Sequence, residues 1–129
     1  MVEWDRKGVE NSYPDQLSGG MAQRASIARG LALNSQIMLF DEPFSALDAM
    51  TKVQLQEELL KIHQEKGKTV ILVTHDIEEA LYVCDRILIL KGQPANISKE
   101  INLTNKRKEN RLSLQDEVKL KKEILQALY

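Results

Sequence analysis

The sequence predicts an α/β fold organised around parallel strands, and three observations carry that expectation. Three short apolar runs, Ile37-Met38-Leu39-Phe40, Thr69-Val70-Ile71-Leu72-Val73 and Arg86 to Leu90, alternate with two helix-like stretches. Continuous runs of this kind suit strands buried on both faces of a parallel sheet. Strand, helix, strand, helix, strand then implies βαβ units with right-handed crossovers. The third observation is size: 129 residues, 43% of them hydrophobic, supply the core of one ordinary domain and no more.

Each element has a local reason. Residues 1–16 are polar and turn-rich, ending in Tyr13-Pro14-Asp15-Gln16. Leu17-Ser18-Gly19-Gly20 opens a helix with Ser18 as N-cap and Met21, Ala25, Ala28 and Ala32 as its expected inner face. Asn34-Ser35 breaks it before the first strand, and Pro43 follows that strand. A helix is expected from about Ala49 to Lys66, with Leu55, Leu59 and Ile62 on one face and Gly67 as its C-cap. The second strand is rich in β-branched residues. Asp76-Ile77-Glu78-Glu79 reads as a capping box with acidic residues in the first turn of the next helix, which holds Cys84 as a packing residue. Lys91-Gly92 and Pro94 stop the third strand.

The character changes at Ala95, so residues 1–94 form the expected main domain and 95–129 an extension. Within the extension, Ile97 to Leu103 suits an edge strand and Asn105 to Arg111 a charged linker. Ser113 caps a final helix expected to carry Leu114, Val118, Leu125 and Leu128 on one side.

Charge excludes some partners. The net charge is -1, which gives no reason to expect nucleic acid. Residues 1–90 carry -5 and residues 91–129 carry +4, a basic tail that reads as solvated. Cys84 is the only cysteine, so no internal disulfide forms and a reducing, cytoplasmic setting is expected. The opening Met1-Val2-Glu3-Trp4-Asp5-Arg6-Lys7 is no signal peptide, and no apolar run approaches the roughly 20 residues that span a bilayer.

Chemistry concentrates at the strand ends, where ligands of open parallel sheets bind. The first strand ends in Asp41 and Glu42, and the second in Thr74, His75 and Asp76. Adjacent residues on a strand face opposite ways, so the two carboxylates are expected to do different jobs. One suits a hard cation such as Mg²⁺ and the other the orientation of a water. Ser18-Gly19-Gly20, at a helix start, offers free N–H groups and a favourable dipole to a phosphate.

Together these segments resemble the ATP-binding cassette (ABC) ATPases. Leu17-Ser18-Gly19-Gly20-Met21-Ala22-Gln23-Arg24 resembles their signature motif, and Ile37 to Pro43 their Walker B strand. Ser45-Ala46-Leu47-Asp48 resembles their D-loop and Thr74-His75-Asp76 their switch-histidine segment. The wording of residues 41–48 and 74–81 is most similar to importers of the nitrate, sulfonate and taurine group. The resemblance implies a partial P-loop NTPase core whose cofactors are ATP and Mg²⁺. It implies that Asp41 supports Mg²⁺, Glu42 polarises the attacking water and His75 contacts the γ-phosphate. Ser18, Gly19 and Gly20 would bind the nucleotide held by a second subunit in a head-to-tail dimer, and Gln23 would reach that seam. Asp48 would organise the seam, cap the helix that follows it, or do both. The implied setting is the inner face of the cell membrane, on transmembrane permease subunits.

The family's phosphate-gripping loop, its glutamine loop and the aromatic residue that stacks on adenine have no counterpart here. The glycines stand at 8, 19, 20, 30, 67 and 92, and none opens a Gly-x-x-x-x-Gly-Lys-Ser/Thr loop. Gly67-Lys68-Thr69 runs from helix into strand, whereas a phosphate loop runs from strand into helix. The sequence thus reads as roughly the carboxyl-terminal half of a cassette. Two functions follow as expectations: the catalytic half of an importer ATPase, inactive without the missing half, or a truncated, non-catalytic remnant. In the family's sheet the phosphate-loop strand lies between the strands at 69–74 and 86–90. A gap, a closing-up of those strands, or a strand from another chain is expected there.

Overall fold

The computed structural model describes residues 19–106 and 111–129; Ser18 and part of the expected 105–111 linker lie outside them. Eight elements run in the order α1 (Gly19–Ala32), β1 (Ile37–Asp41), α2 (Ala49–Lys66), β2 (Thr69–Val73), α3 (Ile77–Val83), β3 (Arg86–Lys91), β4 (Asn96–Asn102) and α4 (Leu114–Leu128). The chain falls into two compact units. One holds the described residues 19–39 and 43–71, the other residues 40–42 and 72–129, so the division crosses β1 and β2.

β1 and β2 are hydrogen-bonded neighbours. Thr69 N–H donates to Gln36 O at 2.9 Å and Glu42 N–H to Val73 O at 2.8 Å, so the strands advance in the same direction. The parallel pair is as the sequence predicts; burial on both faces is not. β1 buries Met38 and Phe40 and exposes Ile37 and Leu39, and no residue of β2 is fully buried. The described residues cover only one side of β1, so an apolar run behaves as a half-buried strand. β3 also departs from expectation. It pairs antiparallel with β4 in a separate two-stranded sheet, with a register shift between Ile89 and Leu90. β2 and β3 have therefore not closed up.

In the first unit, α2 follows the sequence reading closely. Asp48 caps its start, Leu55, Leu59 and Ile62 are buried, and Gly67 ends it at φ 59° with its N–H on His63 O at 3.1 Å. Glycine, with no Cβ, takes that left-handed conformation cheaply, and asparagine tolerates it. Asn34 does the same after α1, at φ 50°. The inner face of α1 is a correction: Met21, Ala25 and Ala32 are exposed, and Ile27 is the fully buried residue. Two glycines let α1 approach its neighbours. A Cβ on Gly30 would meet Met38 Cε at 2.7 Å, and one on Gly20 would meet Thr51 Cγ2 at 2.5 Å.

In the second unit the core is Leu81, Ile89, Ile101, Leu103, Leu120 and Ile124, drawn from α3, β3, α4 and the β4 segment. Ser113 caps α4 as expected, its Oγ accepting from Asp116 N–H at 3.1 Å. The face of α4 differs from the expected one. Leu120 and Ile124 are buried, whereas Leu114, Val118 and Leu125 are exposed and Leu128 only partly covered. Apolar residues occupy two stripes of this helix, and packing selects the one its sequence pattern did not favour. Salt bridges join Arg86 to Glu100 at 2.6 Å and Lys99 to Glu123 at 2.8 Å. No described helix is long and apolar enough to cross a membrane.

Candidate functional site

The second unit brings Glu42 and His75 together. Glu42 Oε1 accepts the backbone N–H of His75 at 3.1 Å and lies 2.7 Å from ring Nδ1. A carboxylate only accepts, so Nδ1 carries the proton, and the tautomer is set by this contact. The same bond, and then the Glu42 charge, raise the His75 pKa above its ordinary 6.5; burial opposes the shift only weakly at this exposed ring.

The backbone explains how Glu42 gets there. β1 ends at Asp41, and Glu42 turns into the left-handed region at φ 48°. The expected alternation of the two carboxylates across a strand therefore gives way to a turn. A glutamate in that region costs energy, and such residues persist where the surroundings hold them. Here the hold comes from its N–H on Val73 O and its carboxylate on His75.

Around His75 the structure joins two residues that the sequence places separately, Thr74 at the strand end and Glu79 in the capping box. Thr74 Oγ1 donates to Glu79 Oε2 at 2.6 Å and accepts from Asp76 N–H at 3.0 Å. Asp76 Oδ1 accepts from the N–H of Glu78 at 2.8 Å and of Glu79 at 3.3 Å, capping α3 as expected. In an ordinary capping box the third helical residue reaches back to the N-cap N–H. Here the Thr74 hydroxyl stands between them. A threonine two positions before an Asp-x-x-Glu start was the available signal.

Gly19, Gly20, Gln23 and Asp48 belong to the first unit. Asp48 takes the helix-cap alternative, accepting from Thr51 N–H at 3.0 Å and Thr51 Oγ1 at 2.6 Å. These bonds hold its carboxyl below the usual range. The methyl of the same Thr51 meets Gly20, so Gly20 is small for a packing reason in addition to any phosphate it approaches. Gln23 is half-buried on α1. Its neighbour Arg24 turns to α2, donating to Gln54 Oε1 at 3.1 Å and standing 3.5 Å from Glu58.

Asp41 is an exposed carboxylate at the end of β1. Among the described residues no group of three or more His, Cys, Asp or Glu side chains is placed to hold a metal ion. Mg²⁺ usually keeps several waters beside one or two carboxylates and substrate phosphates, and a single exposed carboxylate such as Asp41 is compatible with contact through those waters. With Nδ1–H held by Glu42, the other ring nitrogen of His75 accepts when the imidazole is neutral and donates only when it is protonated.

Comparison with known proteins agrees with the motifs. The ABC transporter family model matches residues 1–45. An uncharacterised ABC transporter ATP-binding protein of Methanocaldococcus jannaschii is 49% identical over 109 residues, covering 84% of this chain and 41% of that protein. The aliphatic sulfonates import ATP-binding protein SsuB of Bacillus cereus is 47% identical, covering 92% of this chain and 47% of its own length. The nitrate import ATP-binding protein NrtD of Synechococcus elongatus is 52% identical, covering 67% and 32%. Among solved structures, a dimeric post-hydrolysis ATP-binding cassette bound to ADP and Pi aligns with TM-score 0.60 and 46% identity, over 70% of this chain and 38% of that one. An inward-facing transporter of putative metal-chelate type aligns with TM-score 0.64 and 30% identity, over 77% and 39%. The chain spans under half the length of these relatives, and over that span it is similar to the ATP-binding proteins of ABC transporters, with the α/β architecture of the P-loop NTPases.

Proposed function

We propose that this chain supplies the hydrolytic side of an ABC importer ATPase that powers uptake of a small anion of the sulfonate or nitrate kind. The observation that carries the reading is the Glu42–His75 pair at the ends of adjacent parallel strands, 2.7 Å apart. Glu42 polarises the attacking water, His75 contacts the γ-phosphate and Asp41 supports Mg²⁺ through its water shell. Ser18, with the N–H groups at the start of α1, serves the nucleotide of a second subunit, and permease subunits complete the transporter. Sulfonate and nitrate importers among the relatives support the substrate class.

The test is complementation. The 129-residue chain alone is expected to show no ATP turnover, because residues that grip the β- and γ-phosphates are not among its own motifs. Mixed with the amino-terminal half of a sulfonate-importer ATP-binding subunit, it should regain hydrolysis, and Glu42→Gln should abolish it. Turnover that survives Glu42→Gln, or none under any mixing condition, would sink the reading. In reassembled dimers, Ser18→Arg on one subunit and Glu42→Gln on the other should leave one site working, since both lesions then fall on a single composite site.

A further inference from the structure

We propose that Glu79 is a positioning residue for His75, acting through the hydroxyl of Thr74. Glu79 is 5% exposed, an uncommon place for a carboxylate in the first turn of a short helix. Burying such a group is costly unless it is hydrogen-bonded, and Thr74 donates to it at 2.6 Å. A hydroxyl has one donor and two acceptor lone pairs. Committing the proton to Glu79 turns a lone pair toward Asp76 N–H, at 3.0 Å. Asp76 Oδ1 returns to Glu79 N–H at 3.3 Å, which closes a ring of three bonds through residues 74, 76 and 79.

His75 is the one residue of the 74–76 segment outside this ring, and its backbone is fixed on both sides by it. What remains is the pair of contacts to Glu42, backbone N–H at 3.1 Å and ring Nδ1 at 2.7 Å. The ring is 84% exposed, so packing does little to orient it. The orientation comes from the backbone on which the ring is mounted. Loosening the ring of bonds should let that backbone rotate and release Nδ1 from Glu42. Glu79 thus acts at one remove: it touches neither the carboxylate nor the site of the phosphate.

The inference rests on reading the Glu42–His75 pair as functional, and its test reads that pair without nucleotide. In the ¹⁵N-labelled 129-residue chain, long-range ¹H–¹⁵N spectra resolve the two imidazoles, His63 and His75. The hydrogen-bonded Nδ1–H form of His75 should be present in the parent. It should persist in Thr74→Ser, which keeps the hydroxyl, and in Glu79→Gln, which keeps an acceptor without the charge. It should be lost in Thr74→Val and Glu79→Leu, with averaging of the two tautomers. Retention in Thr74→Val or Glu79→Leu would overturn the proposal. So would loss in Glu79→Gln, which would assign the effect to charge instead of the bond. In the complemented cassette, Glu79→Leu should lower kcat with little change in KM for ATP, and Glu79→Gln should restore it. A cassette that never hydrolyses ATP overturns the proposed function and leaves the spectroscopic result standing.

Discussion

One oxygen of Glu42 receives both donors of His75, the backbone N–H at 3.1 Å and the ring Nδ1 at 2.7 Å. A single carboxylate oxygen thereby fixes the position and the tautomer of the imidazole. The two residues are 33 positions apart, and the parallel pairing of β1 with β2 makes them neighbours.

The pair makes stability depend on pH in a set direction. His75 has its pKa raised in the folded state, above the ordinary 6.5. The contribution is therefore fully present below about pH 6.5 and disappears as pH rises through the folded-state value. Glu42→Gln should bring the His75 titration down toward 6.5. The difference in thermal midpoint between parent and variant should be largest in weak acid, where carboxylates are still ionised and the imidazole is charged, and shrink above neutrality. An unchanged His75 titration in the variant, followed by NMR, would show that the contact is not made in solution.

How much of this was legible in the sequence depends on the element. α2 was readable at both ends, because Asp48 and Gly67 are local signals and Leu55, Leu59 and Ile62 share one helical face. The Glu42–His75 pair was readable as two strand ends sharing one edge. The burial of β1 and β2 was not, because a continuous apolar run reports what a strand can cover and the described residues cover one side. The link between Thr74 and Glu79 was not legible for a different reason: a threonine at a strand end and a glutamate in a helix's first turn both have ordinary local explanations. Their bond becomes visible only once the backbone between them turns.

Gly20 should tolerate no side chain while Thr51 keeps its methyl. The Cβ of Gly20→Ala would lie 2.5 Å from Thr51 Cγ2, forcing α1 away from α2. The expected loss is about 1–3 kcal/mol, the usual range for overpacking. Thr51→Ser removes the methyl and keeps the hydroxyl that donates to Asp48 at 2.6 Å. The double variant should therefore recover most of the stability in urea unfolding. Equal losses in the single and double variants would refute the packing account.

Asp48 should behave as a cap before it behaves as anything else. Asp48→Ala should lower the thermal midpoint, and Asp48→Asn should largely preserve it, because asparagine caps as well. The carboxyl is held below its ordinary 3.8, so its contribution is present above that value and is lost as pH falls through the folded-state pKa. The gap between parent and Asp48→Asn should therefore close in strong acid. A pH-independent gap in circular-dichroism melts would count against the cap.

Ala46 stands at φ 61°, in a region that glycine enters without steric cost. Its side chain is exposed, so little packing is lost when the methyl is removed. Ala46→Gly should stabilise the chain, since relief of backbone strain outweighs the added freedom of the unfolded chain. Ala46→Val should destabilise it, because a β-branched residue fits that region worse still. Chemical denaturation of the two variants checks the sign, and a loss for Ala46→Gly would mean that the loop does not hold this conformation in solution.

α4 offers the sharpest test of which apolar stripe is covered. Ile124 is 3% exposed and Leu114 is 78% exposed, although both sit on the same 15-residue helix. Ile124→Ala removes buried methyl groups among Leu81, Ile89, Ile101, Leu103 and Leu120, and should cost about 2–5 kcal/mol. Leu114→Ser changes an exposed position beside the Ser113 cap and should stay within about 0.5 kcal/mol of the parent. The sequence pattern alone would reverse the weight given to the two positions, because it lines Leu114 up with Val118, Leu125 and Leu128. Urea unfolding of both variants separates the alternatives. A large loss for Leu114→Ser with a small one for Ile124→Ala would mean that α4 turns its other face to the core, and the second unit would then need a different packing of α4 on β3 and β4.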